Sequence, residues 1–88
     1  MIRRRYRFYG RVQGVGFRYR AKQAASLYGV TGWVENEWDG SVSMEAQGEP
    51  SDIDKMVEAI GRGFFVEIER TEAERIDVIE GERGFGAR

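Results

Sequence analysis

The sequence predicts a single α+β domain over residues 1–88, in which two helices cover one face of a mainly antiparallel sheet. Three observations lead to this prediction. A chain of 88 residues is the length of one compact domain. Its apolar residues switch between a period of two and a period near 3.6, which indicates both strands and helices. The twelve glycines and the single proline fall mostly between the periodic segments, where turns belong.

The first half of the chain predicts a strand, a helix and a second strand. Residues 3–13 alternate, with Tyr6, Phe8 and Val12 on one side and arginines on the other, so we expect a half-buried strand whose arginine face stays in water. From Phe17 the apolar residues follow helical spacing until Gly29, which is typical of a helix end. Residues 30–36 then read as the second strand.

The second half predicts a hairpin, a helix and one or two further strands. Asp39-Gly40 marks a tight turn before a third strand over 41–47. Ser51 is predicted to be the N-cap of a helix over 51–61, with Asp54 completing a shortened capping box. The helix is expected to bury one apolar face, made of Ile53, Met56, Val57, Ile60 and Phe64. A fourth strand around 66–75 and a possible fifth edge strand near 84–88 complete a ferredoxin-like β-α-β-β-α-β order.

Composition narrows the chemistry. The chain has no Cys and no His, which excludes thiolate nucleophiles, zinc–sulfur sites and imidazole bases. Residues 1–22 hold eight basic side chains and no acids, whereas all fifteen acidic residues follow, so the N-terminal segment should attract an anion or the chain's own acidic half. No segment reads as a membrane helix or a signal peptide, and we expect a cytoplasmic monomer.

The segment from Gly10 to Arg18 predicts an anion site. A strand runs into a loop with Gly14 and Gly16, which allow successive main-chain N–H groups to turn toward one point. The helix that begins next adds free N–H groups and the positive end of its dipole. Arg18 stands at this helix start and offers a guanidinium to two phosphate oxygens. The segment does not fit a Walker A motif. It does not fit a dinucleotide-binding motif either, because Tyr19 stands where that motif needs a third glycine.

Two motifs resemble those of the acylphosphatase family. Residues 10–18 match Gly-x-Val-Gln-Gly-Val-x-Phe-Arg at every fixed position. Residues 32–48 match the second family motif, from Gly32-Trp33 and Asn36 to Gly48. The resemblance implies hydrolysis of small acyl phosphates to a carboxylate and inorganic phosphate without a metal, a cofactor or a covalent intermediate. Phosphate would be both product and inhibitor, and neither nucleic acid nor membrane is an expected partner.

The resemblance also implies the roles of individual residues. Arg18 would bind the phosphoryl group together with a loop comprising Gln13, Gly14, Val15, Gly16 and Phe17, and Asn36 would hold the attacking water. In the predicted sheet the first two strands run the same way on either side of the third. The loop after the first strand and Asn36 near the end of the second should therefore emerge at the same edge. Phosphoryl transfer needs positioning and charge stabilisation above all, so the lack of histidine is no obstacle.

Two departures from the family pattern and two rival functions stay open. Glu35 is a carboxylate where the family usually has a non-acidic residue, so it would repel substrate unless it faces the open sheet and pairs with an arginine. The glycine-rich end, residues 85–88, is atypical, and we expect it to touch neither Arg18 nor Asn36. One rival is an RNA-binding domain, because residues 83–86 match the start of an RNP1 motif. The other is a phosphate-binding or regulatory module without turnover.

Overall fold

The chain folds into one five-stranded sheet with two helices packed on it. The computed structural model describes all residues, 1–88. The elements are β1 (Ile2–Arg11), α1 (Phe17–Tyr28), β2 (Thr31–Asn36), β3 (Val42–Gly48), α2 (Pro50–Gly61), β4 (Glu67–Ile76) and β5 (Phe85–Ala87). The predicted ferredoxin-like order is confirmed, and so is the fifth strand at the edge of the sheet.

The strand order β4-β1-β3-β2-β5 determines which chain segments meet. β1 is antiparallel to β3 and β4, β2 is antiparallel to β3, and β5 is parallel to β2. Strands β1, β2 and β5 therefore all run in one direction. Their C-terminal ends lie along the same edge of the sheet, as the sequence predicted for the first two.

The core lies between the sheet and the helices. Alternate residues of β1 and β3 point into it, and the rings of Tyr6 and Phe8 stack with centroids 5.4 Å apart. Helix α1 ends at Gly29 in the left-handed conformation, as predicted. Each helix contributes one apolar stripe, and the buried helical residues are Phe17, Ala21, Ala24, Ala25, Ile53, Met56 and Ile60.

Two details of α2 were predicted wrongly. Its N-cap is Glu49, and Pro50 occupies the first turn, so Ser51 lies inside the helix and makes no capping hydrogen bond. Proline favours this position because its missing N–H would have had no helical partner. Phe64 is also not in the core: the helix ends before it, and the turn from Ile60 to Val66 leaves Phe64 92% exposed. Val66 and Ile68 pack against the core instead.

The face of the sheet away from the helices is only partly open. Because β4 and β5 lie at opposite edges, the segment 77–84 crosses the sheet, and we call it the crossover segment. Arg3, predicted to lie in water, is fully buried beneath it. Arg3 Nη1 donates to Glu82 Oε1 at 2.7 Å, and Arg3 Nε donates to Glu45 Oε1 at 2.8 Å. Neither helix is long and apolar enough to cross a membrane.

Candidate active site

A cleft of about 200 Å³ lies where the loop after β1 meets the end of β2. Arg18 and Asn36, separated by a helix and a strand in the sequence, both line it. The fold brings them together because β1 and β2 end at the same edge of the sheet. The lining residues are Val12, Gly14, Gly16, Phe17, Arg18, Tyr19 and Asn36.

Glycine gives the loop its shape. Gly14 and Gly16 have φ angles of +71° and +81°, in the left-handed region that other residues rarely adopt. A Cβ added at either position would meet nothing within 4 Å, so the space around both is open. None of the main-chain N–H groups of residues 14–19 donates to a main-chain acceptor. These N–H groups are therefore available to an anion, as predicted from the glycine spacing.

The start of α1 adds positive potential to the cleft. Gly16 occupies the N-cap and supplies no side-chain hydrogen bond, and the first turn contains no acidic residue. The dipole of the 12-residue helix thus points its positive end at the loop without a neutralising side chain. Phe17 anchors this helix start, since its buried ring lies 5.1 Å from the ring of Phe8. The solvent-exposed Arg18 follows Phe17 directly.

Gln13 connects the loop to the hairpin that follows Asn36. Its amide Nε2 donates to the main-chain oxygens of Glu37 at 2.7 Å and Ser41 at 2.9 Å. Both amide hydrogens are therefore used, and neither Gln13 nor Val15 lines the cleft. A direct phosphate contact from the Gln13 side chain does not fit this arrangement. The side chain instead holds the two halves of the cleft together.

The hairpin loop after Asn36 is fixed by charged hydrogen bonds. The main-chain N–H of Ser41 donates to Asp39 Oδ1 at 3.0 Å, and the Ser41 hydroxyl donates to the same oxygen. Arg7 reaches both residues from β1. The hydrogen bonds from Ser41, supported by the positive charge of Arg7, hold the pKa of the Asp39 carboxyl below its usual value. Asp39 therefore stays ionised near neutral pH and keeps the loop closed.

Residue 88 contacts Arg18 beside the cleft, which the sequence did not predict. Because β5 is parallel to β2, the end of β5 lies at the same edge as Asn36, and the N–H of Arg88 donates to Val34 O at 2.8 Å. Arg18 Nη1 donates to the main-chain oxygen of Arg88 at 2.8 Å. The expectation that residues 85–88 would not touch Arg18 is thus wrong. The topological reasoning used for Asn36, extended to β5, would have found this contact.

Comparison with known proteins identifies the family. The family model described as Acylphosphatase matches residues 4–87, which is nearly the whole chain. The chain belongs to the acylphosphatase family. An acylphosphatase of Clostridium acetobutylicum is 44% identical over 77 residues, which cover 86% of this chain and 85% of that protein. An acylphosphatase of Salinibacter ruber is 40% identical over 83 residues, covering 93% and 87% of the two chains.

Solved structures agree with the family assignment. The crystal structure of acylphosphatase from Bacillus subtilis superposes with a TM-score of 0.91 at 34% identity, covering 100% of this chain and 99% of that one. Full-length HypF, solved in a phosphate- and nucleotide-bound form, superposes with a TM-score of 0.88 at 26% identity. The match covers 99% of this chain but only 12% of HypF. Hydrolysis of acyl phosphates is the function of the acylphosphatase family.

The unusual Glu35 of this acylphosphatase sequence points away from the cleft. Glu35 does not line the cleft, and its Oε2 lies 3.9 Å from Nη1 of Arg88. The guanidinium of Arg88 also covers the ring of Trp33, 4.4 Å from its centroid. Glu35 is thus paired with an arginine, which is the arrangement that avoids repulsion of an anionic substrate. Trp38, in contrast, is 96% exposed in the hairpin loop.

The aromatic residues of β1 and β5 are not arranged for RNA binding. Tyr6 and Phe8 are buried in the core, and Phe85 packs against the core from β5. On the open face, Tyr9 lies beneath the guanidinium of Arg70 at 4.0 Å and bonds Glu72 through its hydroxyl. A base-stacking platform needs free rings on the sheet surface. On the open face, Arg70 and Glu72 already occupy the Tyr9 side chain, so its ring is not free to stack on a base.

Proposed function

We propose that this chain hydrolyses the carboxyl–phosphate bond of small acyl phosphates at the cleft between Arg18 and Asn36. The observation that supports this most is the convergence of three elements on one small space: the free N–H groups of residues 14–19, the uncapped start of α1 and the guanidinium of Arg18. All three favour a phosphoryl group with several negatively charged oxygens. We further propose that residues 1–88 act as one domain.

The reaction needs no protein nucleophile. The loop N–H groups and Arg18 bind the phosphoryl oxygens, and the Asn36 amide orients a water toward phosphorus. The oxygen of this water forms the new bond to phosphorus while the bond between phosphorus and the acyl oxygen breaks. The carboxylate leaves with the electron pair, and the proton of the water passes to a phosphate oxygen. Because a carboxylate is a good leaving group, positioning and charge stabilisation suffice, and no metal or cofactor is required.

The first prediction concerns the two residues at the centre of this scheme. Arg18→Ala and Asn36→Ala should each lower kcat/KM for benzoyl phosphate by about 10²–10³-fold, since each removes one preorganised donor. The assay is run in EDTA, and circular dichroism checks the fold of each variant. Arg75→Ala is the control, because Arg75 is an exposed arginine of β4 that does not line the cleft.

Three results separate the alternatives. Activity that survives both substitutions would overturn the assignment of Arg18 and Asn36. A wild-type protein that binds phosphate without hydrolysing benzoyl phosphate would be a binding module. A wild-type protein active only with added metal would contradict the metal-free scheme.

A monomeric state and a cytoplasmic location belong to the same proposal, and both derive from the size and composition of the chain.

A further inference from the structure

A second concavity adjoins the cleft at Tyr19. This groove has a volume of about 340 Å³ and runs between the outer sides of α1 and α2. Tyr19 is the residue that lines both the groove and the cleft, so the two concavities meet at this position. The groove is lined by Tyr19, Arg20, Gln23, Ala24, Leu27 and Ala59.

The groove follows one stripe of α1 away from the cleft. Tyr19, Gln23 and Leu27 are spaced at i, i+4 and i+8, which places them along one side of the helix over about 12 Å. Core packing does not explain the apolar members of this stripe, because Tyr19 is 68% exposed and Leu27 is 73% exposed. A different set of residues forms the buried face of α1: Phe17, Ala21, Ala24 and Ala25. The small side chains of Ala24 and Ala59 leave room between the exposed side chains of Tyr19 and Leu27.

We propose that this groove is the subsite for the acyl group, and that Tyr19 and Leu27 make the enzyme favour acyl phosphates with an apolar aryl or alkyl group. The inference rests on the proposed function, which places the phosphoryl group in the cleft. The acyl carbon is then one bridging oxygen from phosphorus, so the acyl group must leave the cleft past one of its walls. Of the residues that line the cleft, Tyr19 is the one that also lines this groove.

Arg20 lies on the α2 side of the groove. Its Nη2 donates to the main-chain oxygen of Ala59 at 2.8 Å, which holds the guanidinium against α2. Besides the neutral Gln23, the remaining surfaces toward an acyl group are Tyr19, Leu27 and the methyl groups of two alanines. Binding through such contacts becomes more favourable as the acyl group buries more apolar area or stacks an aromatic ring. Acyl groups that carry a second negative charge should gain nothing from them.

The test compares kcat/KM for acetyl, benzoyl, octanoyl and succinyl phosphate. The wild type should prefer benzoyl and octanoyl phosphate over acetyl and succinyl phosphate. Tyr19→Ala should lower kcat/KM about 5-fold more for benzoyl phosphate than for acetyl phosphate, mainly through KM. Leu27→Asp should lower kcat/KM most for octanoyl phosphate, whose chain extends furthest along the groove. Trp38→Ala is the control: it removes an exposed aromatic residue that lines neither concavity.

The outcomes separate this inference from the proposed function. A wild type that hydrolyses none of the four substrates overturns both. An active wild type without preference among acyl groups, or with a preference for succinyl phosphate, overturns the subsite alone. Equal losses for all four substrates in Tyr19→Ala would show that Tyr19 acts on the phosphoryl end, and would also overturn it. Because Leu27→Asp lies about 12 Å further along the helix, it tests the groove independently of any change in the cleft.

Discussion

At the scale of single residues, Gln13 determines whether the two halves of the cleft stay together. Its amide is the direct link between the loop after β1 and the hairpin that follows Asn36. Gln13→Ala removes both hydrogen bonds, and the hairpin is then held to β1 only by Arg7 and by strand pairing, so it can shift relative to the loop. A displacement of the water-orienting group by as little as about 1 Å can lower the rate about 10²-fold. We therefore expect kcat to fall about 10- to 100-fold while KM changes little, measured by steady-state kinetics on benzoyl phosphate.

Glu37→Ala provides the matched control for Gln13. Glu37 accepts from Gln13 through its main-chain oxygen, which the substitution retains. Activity of Glu37→Ala should thus stay near that of the wild type. If Gln13→Ala instead raised KM and left kcat unchanged, Gln13 would be a phosphate ligand as first predicted from the motif, and the positioning role would be wrong.

At the scale of elements, the crossover segment is held to the sheet by a buried ion pair. Burial alone would raise the pKa of the Glu82 carboxyl, but hydrogen bonds from Arg3 and Thr31 and the charge of Arg3 hold this pKa below its ordinary value of 4.5. A folded-state pKa below the unfolded one means that the pair stabilises the protein at higher pH. This stabilisation is fully present above about pH 5 and is lost as the pH falls through the range of the carboxyl.

Glu82→Gln is the variant that tests the pair. It should lower the free energy of unfolding by about 2 kcal/mol at pH 7, because it weakens a charged hydrogen bond to a buried arginine. The difference from wild type should shrink as the pH falls below about 4.5, the ordinary pKa of the Glu82 carboxyl. Urea denaturation at several pH values measures it, with Glu80→Gln, an exposed carboxylate of the same segment, as the control. A difference that does not change with pH would contradict the ion-pair explanation.

Local sequence signals predicted the elements well and the contacts between distant elements poorly. The switch in periodicity at Phe17 and the glycine at 29 located α1 correctly, since these signals depend on neighbouring residues alone. Burial of Arg3 could not be predicted, because its partner Glu82 is 79 residues away and the crossover segment has no periodic pattern. The N-cap of α2 was missed because a good capping residue, Ser51, follows a proline that prefers the first turn.

The candidate site was predictable where a motif carried it. Arg18, Asn36 and the loop glycines were expected at one edge of the sheet and lie there. The contact between Arg18 and residue 88 was not expected, since the glycine-rich end gave only a weak strand signal. Gln13 was predicted as a member of the phosphate-binding loop, and in the structure both hydrogens of its side-chain amide are donated to the hairpin. A motif identifies which residues matter, and side-chain partners then decide how each one acts.

At the scale of the whole molecule, binding of phosphate should stabilise the fold. A ligand that binds only the folded state adds RT ln(1 + [L]/Kd) to the free energy of unfolding, about 1.4 kcal/mol at ten times Kd. The melting temperature should therefore rise with phosphate when ionic strength is held constant with chloride. In Arg18→Ala the rise should be lost or much reduced. An equal rise in wild type and variant would mean that phosphate acts through general ion exclusion or binds elsewhere.

Constant ionic strength is essential in this comparison, because charge pairs join β1 to its surroundings. Arg5 contacts Glu45 of β3 and Glu74 of β4, and Arg4 contacts Asp54 of α2. The basic N-terminal segment thus faces the acidic remainder of the chain, one of the two options that its charge predicted. Salt weakens such exposed pairs, and it would oppose the stabilisation by phosphate.

The shortness of β5 predicts the order in which function and fold are lost on warming. β5 has three residues and pairs with β2 along one side only, so it is the strand that should detach first on warming. Its detachment releases the oxygen of Arg88 from Arg18 while β1, β3 and the helices remain packed. The Arg18 guanidinium then loses this hydrogen-bond partner and is held less firmly beside the cleft. Inactivation by heat should in consequence run ahead of unfolding, and the protein would lose its chemistry at a temperature where it still keeps its shape.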